Sequence, residues 1–165
     1  MVTVVEDQEV LNHFNCIKLA LTSTLTSICG DEPEDKELHS GKDDRFHGII
    51  GVISLVGEKE SLSLMLGFPK ETAIHFSKIF AGFEIEYESE DMTDVIGELA
   101  NIVAGDAVAR LDAAGLRVEL SLPTVARGSD MSMMTSHDIA SSIMNFELPS
   151  GQFWMKLAVG KDKRH

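Results

Sequence analysis

Three polar residues, Asp94, Glu98 and Asn101, recur at helical spacing inside an otherwise apolar stretch of the sequence. At about 100° per residue they fall within about 60° of one another on a helical wheel, so they share one face. Carboxylates attract cations, and a carboxamide both donates and accepts hydrogen bonds. The pattern Glu-x-x-Asn is nevertheless typical of a solvated helix surface. Its spacing alone therefore assigns no chemistry to this face.

The helix that carries these residues is predicted over residues 90–114. Its apolar residues share the opposite side of the wheel, which makes the helix amphipathic, and they are Met92, Val95, Ile96, Leu99, Val103 and Ala107. Gly105 lies on the polar face, and glycine inside a helix costs about 1 kcal/mol relative to alanine. Its presence there indicates that another backbone approaches this face closely.

Periodicity and turn residues predict the remaining elements. In chain order they are a helix over 4–29, a hairpin of strands 46–56 and 60–66, a short helix after Pro69 that Gly82 closes, a strand over 116–122, a loop over 124–136 and a hairpin of strands 138–148 and 152–159. Helices that alternate with runs of strands indicate an α+β fold, an antiparallel sheet with long helices packed on one face. Each half begins with a long helix, which suggests an internal pseudo-repeat.

Three details of this prediction concern single side chains. The strand over 116–122 alternates strictly, so Leu116, Val118, Leu120 and Leu122 are expected on one face of it, and Pro123 ends or kinks the strand. Trp154 has the opposite parity to the core residues of its strand and is expected to face outward or to meet a partner. The methionines of residues 131–134 are either disordered or contact a partner.

The 165 residues carry a net charge of −13, and −10 of it lies in residues 30–45 and 84–94. This acidity excludes nucleic-acid binding, which needs a basic footprint, and disfavours an anionic membrane surface. The length suits a single domain over 1–165 with an acidic connecting loop at 30–45 and a C-terminal tail at 161–165. No signal peptide is expected, because Glu6, Asp7 and Glu9 stand where one would carry basic residues, and no apolar run reaches membrane-spanning length.

Cys16 and Cys29 fall in one predicted helix, about 20 Å apart, which is too far for a disulfide. Free thiols agree with a reducing cytoplasm. The six histidines show no paired metal-ligand spacing, so no metal site is predicted. Neither a Gly-x-Ser-x-Gly elbow nor a Walker A loop is present.

The polar helix face resembles the signature of the CheC/CheX/FliY phosphatases of bacterial chemotaxis, which is an acid or serine, then Glu, then Asn, and later a proline. Asp94, Glu98, Asn101 and Pro123 match its positions. Further similarity to the CheX members lies in residues 12–14, in residues 48–51 and in the closing hairpin. The resemblance covers about residues 8–160.

The resemblance implies a phosphatase that removes the phosphoryl group from the phosphoaspartate of a CheY-like response regulator. The expected catalytic residues are Glu98, which meets a lysine of the regulator, and Asn101, whose carboxamide orients the attacking water. The expected partner-binding residues are Asp94, Gly97, Gly105 and Pro123. Mg²⁺ is expected on the regulator, and no cofactor on this chain. A cytoplasmic homodimer is also implied.

Glu9 and Asn12 form a second Glu-x-x-Asn, but Val5 stands where the leading acid or serine belongs. We interpret this match as a coincidence, which favours the one-site CheX type over the two-site CheC type. Two alternatives stay open: a non-catalytic module that binds receiver domains, and a sheet-edge dimerisation domain with a vestigial motif. Retention of both Glu98 and Asn101 favours catalysis.

Overall fold

The computed structural model describes residues 8–39, 45–133 and 139–161 of the chain. The elements in chain order are α1 (Gln8–Cys29), β1 (Glu34–His39), β2 (Arg45–Val56), β3 (Glu60–Phe68), α2 (Lys70–Ala81), α3 (Glu90–Ala113), β4 (Glu119–Leu120), β5 (Thr124–Ser132), β6 (Ala140–Leu148) and β7 (Gly151–Lys161). Across the described ranges, every helix is too short or too polar to cross a membrane.

All seven strands belong to one antiparallel sheet in the order β1-β6-β7-β3-β2-β4, with β5 also paired to β2. The central strand β2 pairs with β3 along one edge and with β4 and β5 in succession along the other. Its near-continuous apolar sequence suits this position, because Ile49 and Ile50 point to opposite faces and both are fully buried. The predicted α+β fold is confirmed. The single-domain organisation and the pseudo-repeat stay predictions.

The three helices cover one face of the sheet and enclose the main core with it. α1 packs against α3, and α3 packs against β2. Alternate residues of β3, namely Leu62, Leu64 and Leu66, are buried in this core. Each such leucine contributes about 1.5–3 kcal/mol relative to an exposed position. The predicted hairpin of β2 and β3 and the inward face of β3 are therefore confirmed.

The ends of the helices follow local sequence signals. The Ser89 hydroxyl accepts a hydrogen bond of 3.2 Å from the Met92 amide and so caps the start of α3. α2 begins after Pro69 and ends at Gly82, whose φ of 83° is the left-handed conformation that glycine favours. These boundaries confirm the predicted helices over 90–114 and after Pro69. The predicted start of the first helix at residue 4 lies outside the described residues.

Cys16 and Cys29 lie in the same helix, α1, and are free thiols. Their separation along that helix is what prevents a disulfide. The absence of this bridge was predicted and is confirmed.

Trp154 lies on the sheet face opposite the helices, as its parity predicts. It sits directly across from Gly67, where any side chain on residue 67 would collide with the indole ring. Phe46 meets the indole edge-on, with ring centroids 5.2 Å apart and an interplanar angle of 85°. The tryptophan stays half-exposed. A small aromatic cluster therefore covers part of the outer sheet face.

The predicted connecting loop at 30–45 is wrong in its central part. Residues Glu34–His39 form β1, an edge strand that pairs with β6. Charged side chains are usual on an edge strand because one side of the strand faces water and no apolar alternation develops. Residues 40–44 lie outside the described part of the chain.

The predicted strand over 116–122 and the predicted loop over 124–136 are also wrong. Only Glu119–Leu120 pairs as β4, whereas Thr124–Ser132 forms β5 along the edge of β2. Most side chains of β5 are exposed, so the strand has no apolar alternation to reveal it. Met131 belongs to β5, and Met134 lies outside the described residues.

The closing hairpin is confirmed, with β6 and β7 joined at Pro149 and Ser150. Phe146 and Phe153 pair across it and stack with ring centroids 5.1 Å apart. β7 continues to Lys161, so the predicted tail at 161–165 begins within a strand and its remainder lies outside the described residues.

Candidate active site

The outward face of α3 carries the polar residues that the helical wheel predicts. Asp94, Glu98, Asn101 and Gly105 are all exposed, and the predicted apolar positions of the same helix are buried. The predicted division of α3 into a solvent-facing stripe and a core-facing stripe is confirmed.

The position of α3 is fixed by close packing on β2. A Cβ placed on Gly51 of β2 would lie 3.2 Å from the Ile96 side chain and 3.3 Å from the Ile96 carbonyl oxygen. The glycine therefore lets the helix backbone approach the sheet closely. Val103 and Leu99 are completely buried along the same helix. The exposed face is thus presented by a rigid element rather than by a loop.

A cleft runs between this face and the segment that joins β4 to β5. Its volume is about 620 Å³. Its lining residues are Thr93, Asp94, Gly97, Glu98, Asn101, Leu122, Pro123 and Val125. One side is polar and belongs to α3, and the other side is apolar and belongs to residues 122–125.

Gly97 of α3 lies close to the opposite side of the cleft. A Cβ on this residue would lie 3.5 Å from the Val125 side chain and 3.8 Å from the Pro123 ring. Gly97 thus packs against this chain's own cleft wall, in addition to any approach it offers a partner. Pro123 contributes its ring to that wall, beside Gly97.

The structure brings five of the six predicted site residues into one cleft: Asp94, Gly97, Glu98, Asn101 and Pro123. Gly105 lies one turn beyond Asn101 on the same face and does not line the cleft. A Cβ on Gly105 would have nothing within 4 Å, so this position borders open space.

Sequence analysis missed three lining residues, Thr93, Leu122 and Val125. Leu122 was expected on the apolar face of a strand over 116–122, and it lies beyond β4 and is 89% exposed. The helical wheel places Thr93 beside the polar stripe, but only the pairing of β5 with β2 brings Val125 opposite α3. No local sequence signal marks that pairing.

Negative charge dominates the described lining of the cleft, which has two carboxylates and no basic side chain. The nearest basic residue along β5, Arg127, turns away toward Tyr87. Its guanidinium donates a 2.8 Å hydrogen bond to the Tyr87 carbonyl and lies 5.6 Å from the ring centroid. Burial raises the pKa of the Tyr87 hydroxyl, and the Arg127 charge opposes that rise. The cleft is therefore suited to meet a cation of a partner.

Elsewhere, ligand atoms of Glu9, His13 and Glu60 converge to within 4.8 Å, the one such group found among the described residues. His13 Nε2 lies 2.8 Å from a Glu60 carboxylate oxygen, and Lys161 donates a 2.8 Å hydrogen bond to Glu9. Burial raises the pKa of the Glu60 carboxyl, whereas the Lys161 hydrogen bond lowers the pKa of Glu9. With Lys161 supplying positive charge, this group is an ion-pair network that ties α1 to β3 and β7. These elements do not line the cleft.

Comparison with known proteins identifies the family of this chain. The family described as "Chemotaxis phosphatase CheX" matches residues 49–147, more than half of the chain, and the match includes the cleft residues of α3. A relative from Thermotoga maritima, named CheY-P phosphatase CheX, is 29% identical over 119 residues, which cover 71% of this chain and 76% of the relative.

Solved structures share the fold at lower sequence identity. The chemotaxis protein CheX from Vibrio vulnificus is 22% identical with a TM-score of 0.82, covering 90% of this chain and 99% of that chain. CheX in a CheX–CheY–BeF₃–Mg²⁺ complex from Borrelia burgdorferi is 20% identical with a TM-score of 0.73, covering 92% of this chain and 98% of that chain. Because the family match spans residues 49–147, more than half of the sequence, this chain belongs to the CheX family of chemotaxis phosphatases.

Proposed function

We propose that this chain hydrolyses the phosphoaspartate of a CheY-like response regulator and so ends the signal that the regulator carries. The observation that supports this most directly is the exposed pair Glu98 and Asn101, one turn apart on α3 and open to a cleft. The relative from Thermotoga maritima is named for this activity. The Borrelia burgdorferi complex joins a CheX to a CheY.

The reaction requires little from the catalyst beyond positioning. A water oxygen attacks phosphorus in line with the acyl oxygen, the phosphorus–oxygen bond to the aspartyl group breaks, and the carboxylate leaves with the electron pair. One proton of the water is released, and the products are the free aspartate and inorganic phosphate. Because an acyl phosphate has a good leaving group, a held water and an aligned approach supply much of the acceleration.

Asn101 is proposed to hold this water. Its carboxamide oxygen accepts a hydrogen bond from the water and its amide group donates one, so the water is oriented without a group of shifted pKa. Exposure at the open side of the cleft lets the side chain enter the partner's phosphorylation pocket.

Glu98 is proposed to bind a lysine of the regulator and to dock α3 against its pocket. Asp94 lies at the edge of that contact, and Gly105 leaves room for the partner's backbone. Mg²⁺ is proposed to be held by the regulator's own acids, where it offsets charge on the phosphoryl group. The Borrelia burgdorferi complex contains Mg²⁺ together with CheY. Such a partner works in the cytoplasm, which is the proposed location of this chain.

The proposed function is tested by following the loss of regulator-bound phosphate with and without this chain. We expect catalytic amounts to accelerate the loss and to release a stoichiometric quantity of inorganic phosphate. Tight binding to the phosphorylated regulator with no acceleration would instead establish the non-catalytic binding module.

Replacing Glu98 by alanine is expected to weaken both binding and turnover, with kcat/KM reduced about tenfold or more. A hydrogen bond between charged groups contributes about 1.5–3 kcal/mol, and most of that is lost with the carboxylate. Steady-state kinetics and titration with the phosphorylated regulator measure the two effects. Glu71→Ala removes an exposed helical glutamate outside the cleft and should behave as wild type. Equal losses in both variants would contradict the role of Glu98.

A homodimer is proposed as the assembled form, through the outer sheet face that carries the half-exposed Trp154 and Phe46. Aromatic side chains are enriched at such interfaces. We expect sedimentation equilibrium at micromolar concentration to give twice the 18.0 kDa chain mass. A monomeric mass would contradict the dimer and would leave the phosphatase proposal untouched.

A further inference from the structure

Leu122 is the most exposed large apolar side chain among the described residues, and it lies on the cleft. The apolar side chains that alternate along residues 118–122 become progressively more exposed toward the C-terminal end of this segment. Exposure rises from 5% at Val118 to 38% at Leu120 and 89% at Leu122. A single exposed leucine is ordinary on a protein surface. This one lines the same cleft as Glu98 and Asn101.

The backbone holds Leu122 in place from both sides. On the N-terminal side, Leu120 pairs with Leu55, and the Ser121 amide donates a 2.9 Å hydrogen bond to the Ser54 carbonyl. The Ser121 hydroxyl in turn accepts a 3.0 Å hydrogen bond from the Ser54 amide. On the C-terminal side, the chain returns to β2 at Thr124, which pairs with Val52. Leu122 is therefore projected from a short segment that is fixed at both ends.

Charge gives the cleft little attraction for an acidic partner. The chain carries a net charge of −13, and the described lining of the cleft contains carboxylates but no basic group. Salt screens net charges over about 8 Å under physiological conditions, so they neither steer nor hold the partner strongly. One contact between Glu98 and a lysine is a small fraction of an interface. Apolar contact with Leu122, Pro123 and Val125 is a further source of affinity that this surface offers.

We propose that Leu122 docks onto an apolar patch of the regulator's receiver domain beside the phosphorylated aspartate. This proposal rests on the proposed function and adds the residue that supplies affinity. In the complex, Glu98 and Asn101 enter the polar pocket while Leu122, on the opposite side of the cleft, is buried by the partner's rim. Its fixed backbone means that little conformational freedom is lost on binding.

The test compares Leu122→Ser with Leu19→Ser, which changes another exposed leucine, 57% exposed on α1 and outside the cleft. The probe is the receiver domain loaded with beryllofluoride, a stable mimic of the acyl phosphate. For Leu122→Ser we expect Kd for this probe and KM for the phosphorylated regulator to rise about tenfold, with kcat within twofold of wild type. Leu122→Met should restore both, because methionine retains the apolar contact.

Thermal unfolding serves as the control for folding. Leu122 buries almost nothing, so Leu122→Ser should melt within a degree or so of wild type. Sedimentation should give the same mass for both proteins, since a change would show that a second copy of the chain covers Leu122 and would overturn the proposal.

The remaining outcomes separate this proposal from the proposed function. An active wild type with unchanged Kd and KM in Leu122→Ser would overturn the role of Leu122 alone. A fall in kcat with unchanged KM would also overturn it, because Leu122 would then shape the catalytic geometry instead of docking the partner. A wild type that neither binds the beryllofluoride probe nor hydrolyses the phosphorylated regulator would overturn both.

Discussion

Asn101→Ala is expected to lower kcat about 100- to 1000-fold while changing the Kd for the phosphorylated regulator by less than about threefold. Loss of one positioned hydrogen-bonding group at a reacting centre typically has an effect of this size. The affinity should persist because the proposed contact of Asn101 is to the water rather than to the regulator's body, and Glu98 and the cleft wall remain. Single-turnover loss of regulator-bound phosphate measures the rate, and titration with the beryllofluoride-loaded receiver measures the affinity.

Asn15→Ala is the matched control, because Asn15 is likewise an exposed asparagine on a long helix, α1, and is not part of the cleft. It should leave both constants unchanged. Asn101→Asp keeps the side-chain shape but removes the amide donor and adds a third carboxylate to the cleft. We expect it to be as inactive as Asn101→Ala. Turnover within a few-fold of wild type in both Asn101 variants would refute the assignment of the water-holding group.

The polar face of α3 could be predicted from sequence because its information is local. The apolar residues of α3 repeat at helical spacing, so the orientation of Glu98 and Asn101 follows from the orientation of Val95 and Leu99. The predicted helix over 90–114 agrees with the structure, where Ser89 caps its start and Ala114 follows its last residue. The two faces of α3 are therefore defined by its own sequence, and tertiary packing only buries the apolar one.

The opposite side of the cleft could not be predicted in the same way. Alternation from Leu116 to Leu122 predicts one strand with its apolar residues on a single face, but β4 ends at Leu120, and the last leucine projects into solvent. What ends the pairing is the return of the chain to another part of β2, at Val52. This change of pairing depends on a partner strand about 70 residues away in sequence, and the local hydrophobic pattern does not indicate it.

The two missed strands share one cause. β1 and β5 are both largely exposed, and each obtains its place from hydrogen bonds to a strand distant in sequence, β6 or β2. Neither needs an apolar face, so neither has the alternation by which half-buried strands are recognised. The consequence differs between them. Failure to predict β1 does not affect the predicted site. Failure to predict β5 leaves Val125 and the segment that carries Leu122 out of the predicted site.

The central strand β2 carries a glycine, Gly48, whose replacement should strongly destabilise the fold. Gly48→Ala is expected to destabilise the protein by about 3 kcal/mol or more, which corresponds to a fall in Tm of roughly 6–12 °C. Gly48 has a φ of 155°, a conformation that residues with a Cβ rarely adopt. A Cβ there would collide with the carbonyl oxygen of Phe68 and would lie 2.7 Å from the Phe46 ring. The carbonyl belongs to the backbone of β3, so it cannot move without disturbing the pairing of β2 with β3.

Gly115→Ala separates the cost of the conformation from the cost of the collision. Gly115 also has a positive φ, 92°, but a Cβ on it would have nothing within 4 Å. We expect this control to lose only about 1 kcal/mol, the strain of a left-handed residue outside glycine. Gly48 lies where the register between β2 and β5 shifts, next to the start of the pairing that leads to Val125. If Gly48→Ala melts no lower than Gly115→Ala, close backbone contact at β3 is not what requires glycine. If it melts lower and the surviving folded protein also loses affinity for the regulator, the bulge at Gly48 sets the position of the cleft wall as well as the stability of the sheet.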